Sequence, residues 1–396
     1  MTCTVTIFHN VVWSRHKGAV FSALYNLSAS GTIRYAMVQI ADTETDRIGF
    51  SDVDYSFHRY PMRKLFDGCY EDVPAWKMIV RLTSEVLNSK SELVVLPGYH
   101  RPEYWAMLAA CIVTRKRRAV FCDSTALDRP RRLMTSIPKR IFFSLCDGYF
   151  GFGERSREYL MSLGAKRERI FVPCQAAALP RSFAAGRALG ERLNARRRSK
   201  PVFLYVGRLS EEKAIDTLLD AFEQARGALP DAQLRIVGTG VLHDALVARV
   251  AALTIADAVR FIGSLQDEPL SQEYFGASCL VLPSHSEPWG LVVNEALSHG
   301  CPAVVSDRCG CVPELIVEGE TGLSFPAGDV DALADALTTA TRAFVDVERT
   351  ARACMARIAR FDPRSAALNI ERGCVTMLRE GGDSGRTAST AGGARQ

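Results

Sequence analysis

Ser284–Glu314 reads S-H-S-E-P-W-G-L-V-V-N-E-A-L-S-H-G-C-P-A-V-V-S-D-R-C-G-C-V-P-E, and the order of polar and apolar residues in it decides the fold. Just upstream, Cys279-Leu280-Val281-Leu282-Pro283 is a short unbroken apolar run, the pattern of a strand buried on both faces of a parallel sheet. A polar turn with Glu287 and Pro288 follows, and the spacing then predicts a helix that opens at Gly290. A strand running into a helix N-terminus leaves backbone N–H groups unpaired, with the positive end of the helix dipole behind them. That is a seat for phosphate, to which Gly290, Leu291 and Val292 would contribute their N–H groups. Glu287 lies in the turn, where it can accept from a hydroxyl. Glu295 lies about one and a half turns into the helix, where a carboxylate can hold a vicinal diol. Phosphate beside a diol is what a nucleotide-sugar presents.

Outward from this block, the second half of the chain alternates strand and helix patterns, as in a parallel sheet covered by helices. Strands are expected at Val202–Val206, Leu234–Val237, Val259–Ile262, Cys279–Leu282, Ala303–Ser306 and Leu323–Phe325. Between the first two, Ile215, Leu218, Leu219 and Phe222 recur at helical spacing. The first half repeats the pattern more faintly, with strands at Val5–Phe8, Tyr35–Gln39, Leu93–Leu96, Ala119–Cys122 and Ile170–Val172. A helix carrying Val20, Leu24 and Leu27 on one face stops by Gly31. Residues 176–200, rich in Ala, Arg and Gly, read as a linker, and 381–396 as a disordered Gly/Ser/Thr/Ala tail.

Glu287 and Glu295, followed by Ala296, Gly300, Pro302, Gly310 and Pro313-Glu314, resemble the signature of retaining glycosyltransferase family 4. A second block, Tyr205-Val206-Gly207-Arg208-Leu209-Ser210-Glu211-Glu212-Lys213, looks like that family's diphosphate-gripping segment. A third, Thr321-Gly322-Leu323 with Pro326 and Gly328-Asp329, is similar to its closing strand and turn. The resemblance is strong over about residues 200–375 and weak before 175. It implies the GT-B fold: two Rossmann-like α/β domains facing across a cleft. Residues 1–175 would be the acceptor-side domain and 201–362 the nucleotide-sugar domain, with a helix at 363–380 crossing back to the first.

The resemblance also implies roles. Arg208 and Lys213 would neutralise the leaving diphosphate, the largest help a protein can give this reaction, with Glu287 a sugar-binding and electrostatic residue and Glu295 the ribose clamp. Gly207, Gly238, Gly240 and Ile262 would line the nucleotide, Gly238-Thr239-Gly240 as a close-approach turn. No protein nucleophile is implied, nor any cofactor or metal; the nucleotide-sugar is a co-substrate. The first half departs from the family. A single glycine, Gly18 after Lys17, stands where a Gly-Gly loop is usual, and Cys122-Asp123-Ser124 where many members carry a His. Lys17, Gly18, Asp123 and His100 are therefore candidates for the acceptor side. An epimerase-like relative and an inactive scaffold subunit stay open as alternatives. Polysaccharide or glycoconjugate assembly in bacteria is the expected setting.

Length and composition allow two or three domains with full cores. The twelve cysteines include no Cys-x-x-Cys pair, which argues against zinc and redox motifs and for small apolar fillers in a reducing cytoplasm. The net charge of +5 is uneven. Residues 101–200 hold 22 Lys and Arg against 8 Asp and Glu, a local +14 that leaves −9 elsewhere. Runs such as Arg115–Arg118 and Arg129–Arg132 point to an anionic partner. The basic stretches show no nucleic-acid motif. A lipid-linked or other anionic acceptor is expected, with peripheral contact to an anionic membrane at its inner face.

Overall fold

The computed structural model describes residues 3–29, 31–47, 53–127, 133–196 and 200–386. The chain divides into two compact units. The first comprises Met1–Ala126, Arg131–Ala176 and Pro363–Gln396, the second Leu127–Pro130 and Ala177–Asp362.

The first unit is a seven-stranded parallel sheet of β1 (Cys3–Val11), β2 (Ile33–Ala41), β3 (Met62–Lys64), β4 (Leu93–Leu96), β5 (Arg117–Cys122), β6 (Gly148–Gly151) and β7 (Ile170–Phe171), ordered β3-β2-β1-β4-β5-β6-β7. The period-2 geometry of a strand sends alternate side chains to opposite faces. Val94, Leu96, Val120 and Cys122 enter one core, while Leu93, Val95, Ala119 and Phe121 enter the other. Helices therefore cover both faces. The helix Pro363–Arg386 is part of this unit, with Ala366, Ala367, Ile370, Cys374 and Met377 buried against Phe150 and Phe171.

The second unit is a six-stranded parallel sheet of β8 (Val202–Val206), β9 (Gln233–Val237), β10 (Val259–Gly263), β11 (Cys279–Leu282), β12 (Ala303–Ser306) and β13 (Gly322–Phe325), ordered β10-β9-β8-β11-β12-β13. In both sheets the direction of winding reverses beside the first strand, between β1 and β4 and between β8 and β11. Loops at the carboxyl ends of such strand pairs diverge and leave a crevice, the usual ligand position in doubly wound sheets.

The structure departs from the sequence reading at four places. β3 and β6 are additional strands. β6 has only Tyr149 and Phe150 between two glycines, too little apolar pattern to signal a strand, yet its backbone completes the ladder with β5. The stretch 176–200 is not bare linker. It contains the helix Ala185–Arg196, whose Arg192 donates to the carbonyls of Tyr274, Phe275 and Ala277 at the end of the helix Asp267–Gly276. A buried guanidinium thus caps carbonyls that a helix end leaves open. The last helix also runs to Arg386, so the tail reading fails for 381–386, and 387–396 lie outside the described residues. No helix among the described residues is long and apolar enough to cross a membrane.

Candidate active site

In the second unit the loops after β8 and β11 meet. Lys213 ends the short 3-10 turn Glu211–Lys213, and its ammonium donates directly to the Glu287 carboxylate, a residue 74 positions away. Both side chains are largely buried, 13% and 16% exposed, so solvent screens the pair little. The backbone closes the same junction, with His285 N–H donating to Glu212 O at 2.9 Å. Arg208 follows β8 and reaches Glu212 at 3.0 Å, and Ser210 Oγ donates to the same carboxylate oxygen at 2.7 Å. Burial alone would raise the Glu212 carboxyl, but the Ser210 hydroxyl and the Arg208 and Lys213 charges hold it below the usual carboxylate range. Ala214 takes left-handed φ +50° at the N-cap of the helix Ile215–Arg226.

Two glycine contacts fix these loops. Gly238 has φ +143°, and a Cβ there would fall 1.8 Å from Gly207 O, so the β9 turn packs directly on the β8 turn. Leu209 N–H donates to Thr239 O at 2.9 Å across the same contact, and Gly240 lies against the Leu209 backbone. Gly238 N–H donates to Gly263 O at 2.8 Å, beside Ile262 at the bulge of β10. Gly310 lies under the Glu287 loop: it donates to Glu287 O at 2.8 Å, and a Cβ on it would come 1.8 Å from Pro288 O. A bridge between Glu287 and Cys309 completes the support. The helix Leu291–Ser298 opens at Gly290, φ +98°, with no capping side chain and no acidic residue in its first turn. The N-terminal N–H groups of Leu291 and Val292 therefore remain available to an anion.

Glu295, about a turn further along this helix, accepts from Tyr274 OH at 2.7 Å. Its half-buried carboxylate is thus oriented by a buried phenol. Tyr274 in turn stacks on His299, with ring centroids 5.1 Å apart, and His299 bridges Ser271 Oγ and Glu295 O. Sequence reasoning missed Tyr274 and Glu212. Glu212 stands inside the quoted Gly-Arg-Leu block, so an acid four residues after Arg208 was a readable signal. Tyr274 had none, because a tyrosine in a helix reads as core.

In the first unit, Lys17, Gly18, His100 and Asp123 all follow the carboxyl ends of β1, β4 and β5, three neighbouring strands at the reversal of the sheet. Lys17 is 5% exposed in the first turn of the helix Arg15–Ser28, while His100 and Asp123 are exposed. Asp123 contributes to the charge environment of Lys17. The basic run Arg115–Arg118 is largely tied down. Arg117 and Arg118 pair with Asp147, and Lys116 donates to Ser89 O at 2.7 Å. Arg129–Arg132 lies outside the described residues. All twelve cysteines are free thiols and ten are buried, five of them, Cys111, Cys122, Cys279, Cys354 and Cys374, within strands and helices.

Residues 192–343 match the family model described as glycosyl transferases group 1. Among curated proteins, a glycogen synthase of Mycobacterium tuberculosis is 36% identical over 155 residues, 39% of this chain and 37% of that protein. The alignment thus spans little more than a third of that relative's own length. Among solved structures, the lipopolysaccharide outer core galactosyltransferase WaaB, apo form, superposes with TM-score 0.70 at 18% identity, covering 94% of this chain and 99% of that one. The Anabaena protein HepE in complex with UDP gives TM-score 0.70 at 16% identity with the same coverage. The fold is GT-B, with two Rossmann-like halves, and the match to the group 1 glycosyl transferase model covers residues 192–343 of the chain.

Proposed function

We propose that the protein is a retaining glycosyltransferase of family 4 that moves a sugar from a nucleotide-sugar donor to a hydroxyl acceptor in bacterial polysaccharide or glycoconjugate assembly. The observation that carries this reading is the Lys213–Glu287 pair at the reversal of the second sheet, beside Arg208 and the open helix N-terminus at Gly290. HepE holds UDP on the same fold. In our reading the diphosphate lies on the N–H groups of Leu291 and Val292 with Arg208 and Lys213 as its counter-charges. Gly207, Gly238, Gly240 and Ile262 shape the base side, and Glu295 holds the ribose. Charge developing on the leaving oxygen is then met by fixed dipoles and cations. The Glu287 carboxylate is committed to an ion pair with the largely buried Lys213, which favours sugar binding over a covalent intermediate. The acceptor's proton would pass to a leaving phosphate oxygen on the same face, and the transfer calls for no cofactor or metal.

Peripheral contact with an anionic membrane surface from the cytoplasmic side belongs to this reading. Tyr99, 7% exposed and packed on Phe143, is core and offers no anchor. Exposed Ile137 and Ile141, on a helix that also carries Lys139 and Arg140, serve that role better. The test is incubation with a panel of nucleotide-sugars, following nucleotide diphosphate release and the anomeric configuration of the product by NMR. Release of nucleotide with retained configuration supports the proposal. Sugar epimerised without transfer, or donor bound and never turned over, overturns it in favour of an epimerase-like or scaffold role.

A further inference from the structure

Glu295 is held twice, by two buried aromatic residues that also hold each other. Ser271, Tyr274 and Phe275 fall on one face of the helix Asp267–Gly276. Glu295 and His299, four residues apart, share a face of the helix Leu291–Ser298 and its C-cap. The Tyr274 phenol donates to Glu295 Oε2 at 2.7 Å, and His299 Nδ1 donates to Glu295 O, also at 2.7 Å. One residue thus holds the carboxylate and the other the backbone of the same glutamate. The two rings stack with their centroids 5.1 Å apart and their planes 26° from parallel. Phe183 and Phe275 meet His299 edge-on, each centroid 4.8 Å from that of the imidazole.

The partners fix the protonation states. A carbonyl only accepts, so His299 Nδ1 carries its hydrogen and Nε2 offers a lone pair, which the Ser271 hydroxyl meets at 3.0 Å. Burial lowers the His299 imidazolium to about 4, so the ring is neutral at pH 7. Burial, with the Glu295 charge beside it, pushes the Tyr274 phenol well above its ordinary range, and the proton stays on oxygen for donation.

Nothing in the packing calls for a hydroxyl at position 274. Phenylalanine would fill the same slot, and a buried hydroxyl is costly unless it is hydrogen-bonded. This one goes to a carboxylate that is itself only half-buried. The last torsion of a glutamate is soft and broadly distributed, and a charge-assisted O–H···O bond restricts it. A carboxylate that receives two vicinal hydroxyls gains from that restriction, because both contacts need one orientation.

We propose that Tyr274 is a positioning residue that fixes the Glu295 carboxylate for the ribose hydroxyls of the donor, and thereby sets a preference for ribose over deoxyribose nucleotides. His299 and Ser271 keep the tyrosine ring and the glutamate backbone in register. The proposal rests on the reading in which Glu295 holds the ribose.

The test is calorimetric binding of UDP, ADP and GDP, each against its 2′,3′-dideoxy counterpart, to the full chain. The parent should bind its preferred ribonucleotide at least about tenfold tighter than the dideoxy form. In Tyr274→Phe the ribonucleotide should weaken about tenfold while the dideoxy form stays within about twofold, so that most of the preference is lost. Equal weakening of both forms means that the phenol only supports the fold, and overturns the proposal; so does an unchanged preference. In turnover, KM for the nucleotide-sugar should rise about tenfold with kcat within about threefold of the parent. Ser271→Ala is the second variant, which leaves the phenol in place and removes only the hydrogen bond to His299 Nε2. Its melting temperature shows that it is folded, and a preference reduced about threefold through the ribonucleotide alone is expected; if Tyr274→Phe does not fold, an unchanged preference in Ser271→Ala overturns the proposal.

Two further outcomes separate this proposal from the reading beneath it. A parent that binds ribo- and dideoxynucleotides equally overturns the ribose role of Glu295, and the positioning role with it. A ribose preference that Tyr274→Phe abolishes, in a protein that releases nucleotide diphosphate from no nucleotide-sugar, supports the positioning role and overturns the transferase reading instead.

Discussion

Replacing Lys17 by methionine should make the protein more stable, and the size of the gain follows from the site. Burial pulls the Lys17 ammonium down from its ordinary 10.5 to about 8. At 1.36 kcal/mol per pH unit, that separation is about 3 kcal/mol of native-state penalty on the charged form. The faces of Phe121 and Phe152, with ring centroids 4.7 and 5.0 Å from the ammonium, return part of it, about 1–2 kcal/mol for a desolvated cation. Methionine has similar length, fills the same slot and adds sulfur–aromatic contact. The net expectation is a gain of about 1–2 kcal/mol at pH 7.

The pH dependence gives the sharper test. Below pH 8 the lysine is charged in both native and unfolded chains, so the whole penalty is present. Between about 8 and 10.5 the native state has released its proton while the unfolded chain keeps it, so wild-type stability rises with pH. Above 10.5 both are neutral and the penalty is gone. The difference between Lys17→Met and wild type should therefore shrink through that window. Urea unfolding followed by tryptophan fluorescence measures it well, because three of the four tryptophans, Trp13, Trp76 and Trp105, are in the first unit. A variant destabilised by more than about 1 kcal/mol, with a pH-independent difference, would mean that the ammonium has a structural partner, and the reasoning would fail.

In the second unit, Arg208→Ala and Lys213→Ala should each remove at least about 2 kcal/mol of transition-state stabilisation, read as reduced kcat in nucleotide diphosphate release; near-normal turnover in both would discard the assignment. Gly310→Ala sets a methyl against Pro288 O, which cannot yield as a side-chain tip can. The Glu287 loop must then move, so a lower melting temperature and a loss of donor affinity beyond about tenfold are expected, measured by differential scanning fluorimetry with and without nucleotide. Arg192→Met removes the buried donors from the carbonyls of Tyr274, Phe275 and Ala277. It should cost about 2–4 kcal/mol in the second unit's unfolding transition while leaving the first unit's transition in place, which calorimetry resolves.

The fold of the second unit was legible because its strands and turns are written in contiguous blocks. Gly207 through Lys213 and Glu287 through Glu295 each follow a short, wholly apolar strand, and such strands leave little choice of element. What the sequence does not carry is the meeting of Lys213 with Glu287. That contact comes from the strand order β8-β11, which places two loops side by side although 74 residues separate the partners. The helix at Ala185–Arg196 was missed for a related reason. Its Arg and Ala content reads as solvated linker, and only the distant carbonyls of Tyr274, Phe275 and Ala277 explain why Arg192 is buried there.

The first unit shows why a buried cation resists reading. Lys17 stands out in the sequence only as a lysine before a glycine. What makes it unusual is supplied by Phe121 and Phe152, more than a hundred positions away on β5 and just past β6, and by the lack of an acid within hydrogen-bonding distance among the described residues. An absent partner leaves no mark in sequence, and two phenylalanines at strand ends look like core. The basic runs mislead in the opposite direction. Arg117, Arg118 and Lys116 advertise charge, yet Asp147 and the Ser89 carbonyl take most of it up. Counted charge thus overstates the exposed runs and overlooks buried cations such as Lys17 and Arg192. An anion finds strength where water is excluded and donors are held in place, so a count of solvated arginines along the sequence is a poor guide to where one would bind.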